Sequence, residues 1–156
     1  MEIIYRNTVA AYIVSSDGKV LFGCKDPKKG GVYVDCWHIP GGGIDADETP
    51  EQAIVREVRE ETGLEIKTAT KHLIDDRGVG ESIKQRPDEE DVLVRMTFII
   101  YKVMIPQPAS KITLKPTDDL IDLTWVDFSE LQTIKLTPPA YMLFDRMGTS
   151  WLTDKV

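Results

Sequence analysis

Apolar and polar positions along the chain separate into several short β-branched runs and one segment with helical spacing. Thr8 to Val14 (TVAAYIV) predicts a strand, Ser15-Ser16-Asp17-Gly18 carries turn chemistry, and Lys19 to Lys25 (KVLFGCK) predicts the returning strand. Residues 26–31 read as loop, and Val32 to Ile39 reads as loop entering a short strand before Pro40. Thr49 has the chemistry of a helix N-cap, with Pro50 at the first helical position and Gln52 completing a capping box. The helix is expected to run to Thr62, where Gly63 stops it. Leu64 to Ile74 predicts a strand, and the polar stretch 75–91 predicts a long loop. Val92 to Ile105 predicts a strong strand, 111–114 a short one, and Leu120 to Val126 another. Short helices are expected over Ser129 to Ile134 and Pro138 to Met147. Strands on both sides of a single well-capped helix predict an α/β sandwich with a mixed sheet. The helical segments do not alternate regularly with strands, which argues against a doubly wound fold.

Composition narrows the class. The 156 residues match one domain, read here as residues 1–156, long enough to bury a core without staples. A hydrophobic fraction of 42% beside a charged fraction of 29% argues against disorder. No apolar run reaches the roughly 18 residues of a membrane span. The start of the chain is too polar for a secretory signal, so a cytoplasmic location is expected. The net charge of −7 disfavours nucleic-acid polymers and anionic membranes as partners, while leaving room for a small basic pocket. Cys24 and Cys36 offer neither a disulfide framework nor zinc-ligand spacing.

The helical segment carries the chemistry. At about 100° per residue, Ile54, Val55, Val58 and Thr62 share one face. Glu57 and Glu61 lie on one flank of that stripe, with Glu60 just beyond. Like charges three and four residues apart repel by a few tenths of a kcal/mol per pair. A hard divalent cation would offset that repulsion, and Mg²⁺ favours a few carboxylates plus substrate phosphates. The plain alternative is a solvated acidic helix whose partners are Arg56 and Arg59. Just upstream, Pro40-Gly41-Gly42-Gly43 permits close backbone approach. Arg56 holds a permanent forked charge suited to fixing a glutamate, Glu48 among them.

These residues resemble the Nudix box: Gly, five residues, Glu, seven residues, then Arg-Glu-aliphatic-x-Glu-Glu-x-Gly-aliphatic. Here Gly42, Glu48 and Arg56-Glu57-Val58-Arg59-Glu60-Glu61-Thr62-Gly63-Leu64 fill every defined position across 42–64. Trp37-His38-Ile39-Pro40 before the box, an acidic residue before Trp125, and Pro138-Pro139-Ala140 are also Nudix-like. The resemblance implies a Nudix-type α/β/α sandwich and Mg²⁺-dependent hydrolysis of a nucleoside diphosphate linked to another group, with Mn²⁺ a possible substitute. It implies that Glu57, Glu60, Glu61 and the Gly41 carbonyl hold the metal, that Arg56 orients a glutamate, and that Glu48 supports the loop. It gives Lys25 a phosphate and Asp119 an extra metal or base role, with Glu89, Glu90 and Asp91 as rivals to Asp119. Glu57 or Glu60 is the expected general base.

The substrate is less defined. Tyr141 stands where guanine-nucleotide cleaners carry Asn, and signatures of ADP-ribose, coenzyme A and dinucleoside-polyphosphate hydrolases are not evident. A nucleoside triphosphate or similar small nucleotide is favoured, with a nucleotide sugar as the alternative. A non-catalytic nucleotide-sensing Nudix domain is the reading from another class. An isomerase on this fold would need a catalytic cysteine and more histidines than His38 and His72. Arg6 reads equally as a pocket residue or a solvated one, Trp37 as pocket wall or base stacker, and Tyr141 as a recognition residue. His38 reads as a hydrogen-bonded residue where strand meets loop. A homodimer is possible, as in many relatives.

Overall fold

The computed structural model describes residues 1–26, 28, 33, 35–116 and 120–147. Seven strands and two α-helices follow one another as β1 (Glu2–Val14), β2 (Lys19–Lys25), β3 (Trp37–His38), β4 (Gly41–Gly43), α1 (Pro50–Thr62), β5 (Lys71–Lys84), β6 (Val92–Met104), β7 (Leu120–Asp127) and α2 (Pro138–Met147). The main path of the sheet is β3-β2-β1-β6-β5, with β4 added to β1 and β7 to β2. Only the β1–β6 pair is parallel among these ladders, so the sheet is mixed. β1 and β2 share just the Val14–Val20 position, and the segment of β3 and β4 fills the gap where they diverge.

Alternation along β1 builds two cores from one strand. Val9, Ala11 and Ile13 pack with Leu21, Tyr101 and Val103 against Ala53, Ile54 and Val58 of α1. Ala10, Tyr12 and Val14 pack on the opposite face with Phe22, Ile100, Phe128 and, from α2, Leu143 and Phe144. The sheet is therefore sandwiched between α1 and α2, the expected α/β/α arrangement. Ile54 and Val58 are fully buried, each contributing about 1.5–3 kcal/mol. Tyr12 and Phe22 meet Phe144 edge-on, each with ring centroids 6.1 Å apart.

Several boundaries differ from expectation. β1 begins at Glu2 rather than Thr8, and 75–84 is strand rather than loop. Both stretches flank β6 as a ribbon, and most of their side chains, Ile3, Ile4, Tyr5, Val79 and Ile83 among them, are exposed. Pairing with β6 satisfies one edge of each backbone and the exposed other edge is open to water, so no buried apolar face was required. Two bulges, between Leu73 and Asp75 and between Asp75 and Gly78, further blur the period of two. Residues 64–70 hold no strand; Lys71 Nζ donates there to the carbonyls of Ile66, Lys67 and Ala69. The short strand expected at 111–114 is replaced by a 3-10 turn at Ala109–Lys111. The helix expected over 129–134 is a 3-10 turn, Phe128–Thr133.

Candidate functional site

Helix α1 starts and stops as its sequence dictates. The Thr49 side chain accepts from Gln52 N at 3.2 Å, and Thr49 N donates back to Gln52 Oε1 at 3.0 Å. Gly63 adopts φ +78°, and its N–H closes the last turn on Arg59 O at 3.0 Å. Only glycine takes that left-handed geometry without strain.

Between these caps the acidic side chains gather on Arg56. Its Nε and Nη2 form a fork on Glu48, each contact 2.7 Å. Nη1 donates to Glu57 at 2.9 Å and to Glu60 at 3.3 Å. Nη2 also donates to Gly43 O at 3.0 Å and lies 3.5 Å from Asp45. One guanidinium thus faces four carboxylates and ties the loop 43–48 to the helix. Its hydrogen bonds to Glu48 and Glu57 raise the Arg56 pKa still further. The same fork, with the Asp45 N–H at 2.9 Å, holds Glu48 down at about 2. Charge-assisted, bidentate bonds of this kind fix orientation as well as energy.

Glu57 is the most enclosed of these acids, its side chain 12% exposed, whereas that of Glu60 is 45% exposed. The Glu57 carboxylate lies directly over Gly42, where a Cβ would stand 2.5 Å from it. Gly42 therefore makes room for that carboxylate. Glu61, one turn beyond Glu57, is buried. Gly41 pairs with Ala10, so close that any side chain would strike the β1 backbone.

The remaining sequence candidates are distributed as follows. Arg6 lies over Gly43 on the α2 side of the sheet, its Nε 2.5 Å from where a Cβ would stand. Lys25 ends β2, where the ladder to β7 shifts register. Its charge adds to burial in holding the His38 imidazole below its ordinary value. His38 Nδ1 is 2.9 Å from Ile39 O, the hydrogen-bonded strand-end setting expected for it. Trp37 is pinned by its backbone to Lys135 O and Thr137 N and packs against the α2-side core. Tyr141 is exposed on α2 beside an apolar groove of about 300 Å³ lined by Leu131, Ile134, Leu136 and Phe144, away from the box. Asp119 lies outside the described residues. Sequence reasoning missed Asp45 and the Gly43 carbonyl as partners of Arg56; the close approach that glycine allows was the available signal.

Hard carboxylate oxygens on successive turns, beside a glycine strand that leaves them room, match the donor preference of Mg²⁺ or Mn²⁺. Among the described residues, no three acidic, imidazole or thiol groups converge as a ready-made cation site. Arg56 occupies the centre of the group instead. The donor set fits a divalent cation: Arg56 bonds one oxygen each of Glu57 and Glu60, and a carboxylate has further lone pairs for an ion.

A family model described as the NUDIX domain matches residues 4–147. A nucleoside triphosphatase, NudI, from Enterobacter sp. (strain 638) is 26% identical over 145 residues, covering 92% of this chain and 97% of that protein. An RNA pyrophosphohydrolase from Hydrogenovibrio crunogenus is 43% identical over 61 residues, 39% of this chain and only 33% of that relative's length. Among solved structures, a MutT protein from Methanosarcina mazei Go1 superposes with TM-score 0.63 at 22% identity, covering 94% of this chain and 96% of that one.

Proposed function

The chain belongs to the Nudix family, and from that membership we propose that it is a divalent-cation-dependent hydrolase of a phosphoanhydride in a nucleoside diphosphate derivative. The favoured substrate is a nucleoside triphosphate or similar small nucleotide, and NudI, similar along nearly its whole length, supports that choice. We read 1–156 as one catalytic domain with its box at 42–64. We place it in the cytoplasm, alone or as a homodimer. No helix among the described residues is long and apolar enough to cross a membrane.

One observation carries the reading: four carboxylates surround a single guanidinium, with Glu57 enclosed over Gly42. That excess of negative charge on one partly enclosed helix face favours a cationic ligand. Glu57, Glu60, Glu61 and the Gly41 carbonyl would hold Mg²⁺, which when bound neutralises charge on phosphoryl oxygens and acidifies a bound water.

The chain's own residues do the rest. Arg56, forked on Glu48 and bonded to Gly43 O, keeps helix and loop in register so that Glu57 stays over the glycines. Water attacks phosphorus, Glu57 or Glu60 takes its proton, and the bridging P–O bond breaks with its electron pair going to the leaving phosphate. Lys25 supplies positive charge to the phosphate chain, and Arg6 contacts the substrate. Trp37 forms a wall, and Tyr141 recognises part of the substrate; Asp119 is a further candidate base. A panel of nucleoside triphosphates and nucleotide sugars with Mg²⁺, scored for phosphate against pyrophosphate release, tests this. Pyrophosphate and a nucleoside monophosphate are expected from triphosphates. Nucleotide and metal binding without turnover on any substrate would overturn it in favour of a sensing domain.

A further inference from the structure

The first half of β1 pairs with β6 on one edge only. Its other edge is covered from Asn7 onward, where Ile44 N donates to Asn7 O at 3.0 Å and Thr8 to Ala10 pair with Gly43 to Gly41. Backbone groups of successive strand residues point to alternate edges. Asn7 bonds Ile44 and Ala11 bonds Pro40 on the β4 edge, whereas Val14 O accepts from Ile105 beyond the end of β6. Odd residues of β1 therefore face the β4 edge and even residues face β6. The N–H and C=O groups of Ile3 and Tyr5 point outward, and no strand among the described residues pairs with them there.

Proteins usually guard such an edge with proline, lysine or a bulge. Glu2-Ile3-Ile4-Tyr5-Arg6 contains no proline or lysine, and the β1–β6 ladder runs through it without a register shift. Its apolar side chains are exposed as well, Ile3 by 43%, Ile4 by 40% and Tyr5 by 74%. Charges of opposite sign, Glu2 and Arg6, close the two ends of this apolar run. An open backbone edge, apolar side chains on both faces and opposite terminal charges fit an antiparallel strand of the same sequence, because an isologous contact must be self-complementary.

We infer that the chain dimerises through this edge, β1 pairing antiparallel with the partner's β1 about a two-fold axis at Ile4. Outward residues must meet outward residues, so the axis falls on a residue rather than between two. An axis at Tyr5 would set Glu2 against Thr8, whose place is taken by Gly43. An axis at Ile3 would set Glu2 against Ile4 and leave Arg6 without an acidic neighbour. The axis at Ile4 sets Ile3 against the partner's Tyr5, with both backbone hydrogen bonds made, and Glu2 against the partner's Arg6, each twice by symmetry. Ile4 meets the partner's Ile4 in the close, non-hydrogen-bonded position and extends the row Ser82–Val94–Ile4 across the axis. Glu2 already holds Arg86 at 3.0 Å through Oε2, and a carboxylate has lone pairs for a second partner. Arg6 lies over Gly43, at the edge where the second copy arrives, and its five donors serve a carboxylate as well as a substrate. Five residues from each copy fall short of the standard interface of about 800 Å² per partner, so the dimer is weak and concentration-dependent. This assembly does not depend on the hydrolase reading; it decides between a lone chain and a homodimer and names the contact.

The test is sedimentation equilibrium of the full chain. The wild type is expected to dimerise reversibly between about 1 μM and about 1 mM, the range of small interfaces. Ile4→Lys sets two ammonium groups together at the axis and should weaken association at least about 10-fold. Ile3→Pro removes an outward N–H, leaves the β6 ladder intact and should weaken it at least about 5-fold. Glu2→Arg and Arg6→Glu proteins should each be monomeric alone and should dimerise when mixed, because only the mixed pair faces opposite charges. Ile4→Cys should form a disulfide-linked dimer in oxidised glutathione, since cross-strand Cα atoms at such a position lie about 4.5 Å apart. The wild type, with Cys24 and Cys36, and Ile83→Cys on the far edge of the ribbon should not. A wild type that stays monomeric at about 1 mM overturns the inference. So does a dimer that the folded Ile4→Lys and Ile3→Pro proteins retain, a mixture of the charge variants that stays monomeric, or cross-linking through Ile83→Cys instead of Ile4→Cys.

Discussion

Two arginine–carboxylate clusters lie on opposite sides of the sheet, and their charge balance is reversed. Around Arg56, one guanidinium serves Asp45, Glu48, Glu57 and Glu60. Around Asp75, one fully enclosed carboxylate is held by two guanidiniums, Arg146 at 2.6 Å and Arg77 at 3.1 Å. Burial pushes the Asp75 carboxyl up, yet the two arginines bring it below its ordinary value. The second cluster is complete in itself and ties α2 to the bulge of β5. The first has more acid than its one base can neutralise, and that surplus is what a cation-dependent active site requires. Excess acid on a partly open helix face points to a ligand; a fully buried carboxylate held by two guanidiniums points to structure.

Removing acid from each cluster should give opposite phenotypes. Glu57→Gln or Glu60→Gln is expected to lower kcat by about 100-fold or more, the scale of losing a group that stabilises transition-state charge, while thermal unfolding midpoints stay within a few degrees of wild type. Steady-state kinetics beside calorimetric melting would decide. Arg56→Gln should cost about 10- to 100-fold in activity or metal affinity, as for residues that orient metal ligands. Arg56→Lys should rescue little, because an ammonium cannot make the Glu48 fork.

Asp75→Asn should do the reverse. Leaving Arg146 without its partner is expected to destabilise the fold by about 3 kcal/mol, read from urea unfolding, with kcat unchanged below the transition. Replacing both partners by apolar residues should recover much of that loss, since well-packed apolar groups often match a buried ion pair.

Acid separates the clusters from wild-type behaviour more gently. Glu48 sits at about 2 against an ordinary 4.5, and Asp75 is also lowered. Both therefore stabilise the folded chain fully above the ordinary carboxylate range and lose that contribution as pH falls toward their folded values. Unfolding midpoints of the wild type should decline below about pH 4.5. Asp75→Asn should show a shallower decline over the same interval. The smallest effect expected is that of Thr49→Ala, about 1 kcal/mol for a lost N-cap, with activity reduced only as far as the α1 start loosens.

The sequence made α1 legible because its signals are local. Thr49, Pro50, Gln52 and Gly63 act within one or two turns, and all take their expected places. The ribbon was hidden for the opposite reason. Lys71–Lys84 is stabilised by β6, a partner distant in sequence, and its bulges and exposed polar residues erase the alternation that would announce a strand. The acidic helix face could be read from spacing, but its attachment to Asp45 and Gly43 O depends on how the loop folds back on Arg56.

The account depends on α1 as a cation-binding helix. Titrating Mn²⁺ into the wild type and into Glu57→Gln and Glu60→Gln, followed by electron paramagnetic resonance, addresses that directly. Saturable Mn²⁺ binding in the wild type, weakened at least about 10-fold in each variant, is the predicted result. Equal Mn²⁺ binding in all three proteins, or none in the wild type, would contradict it.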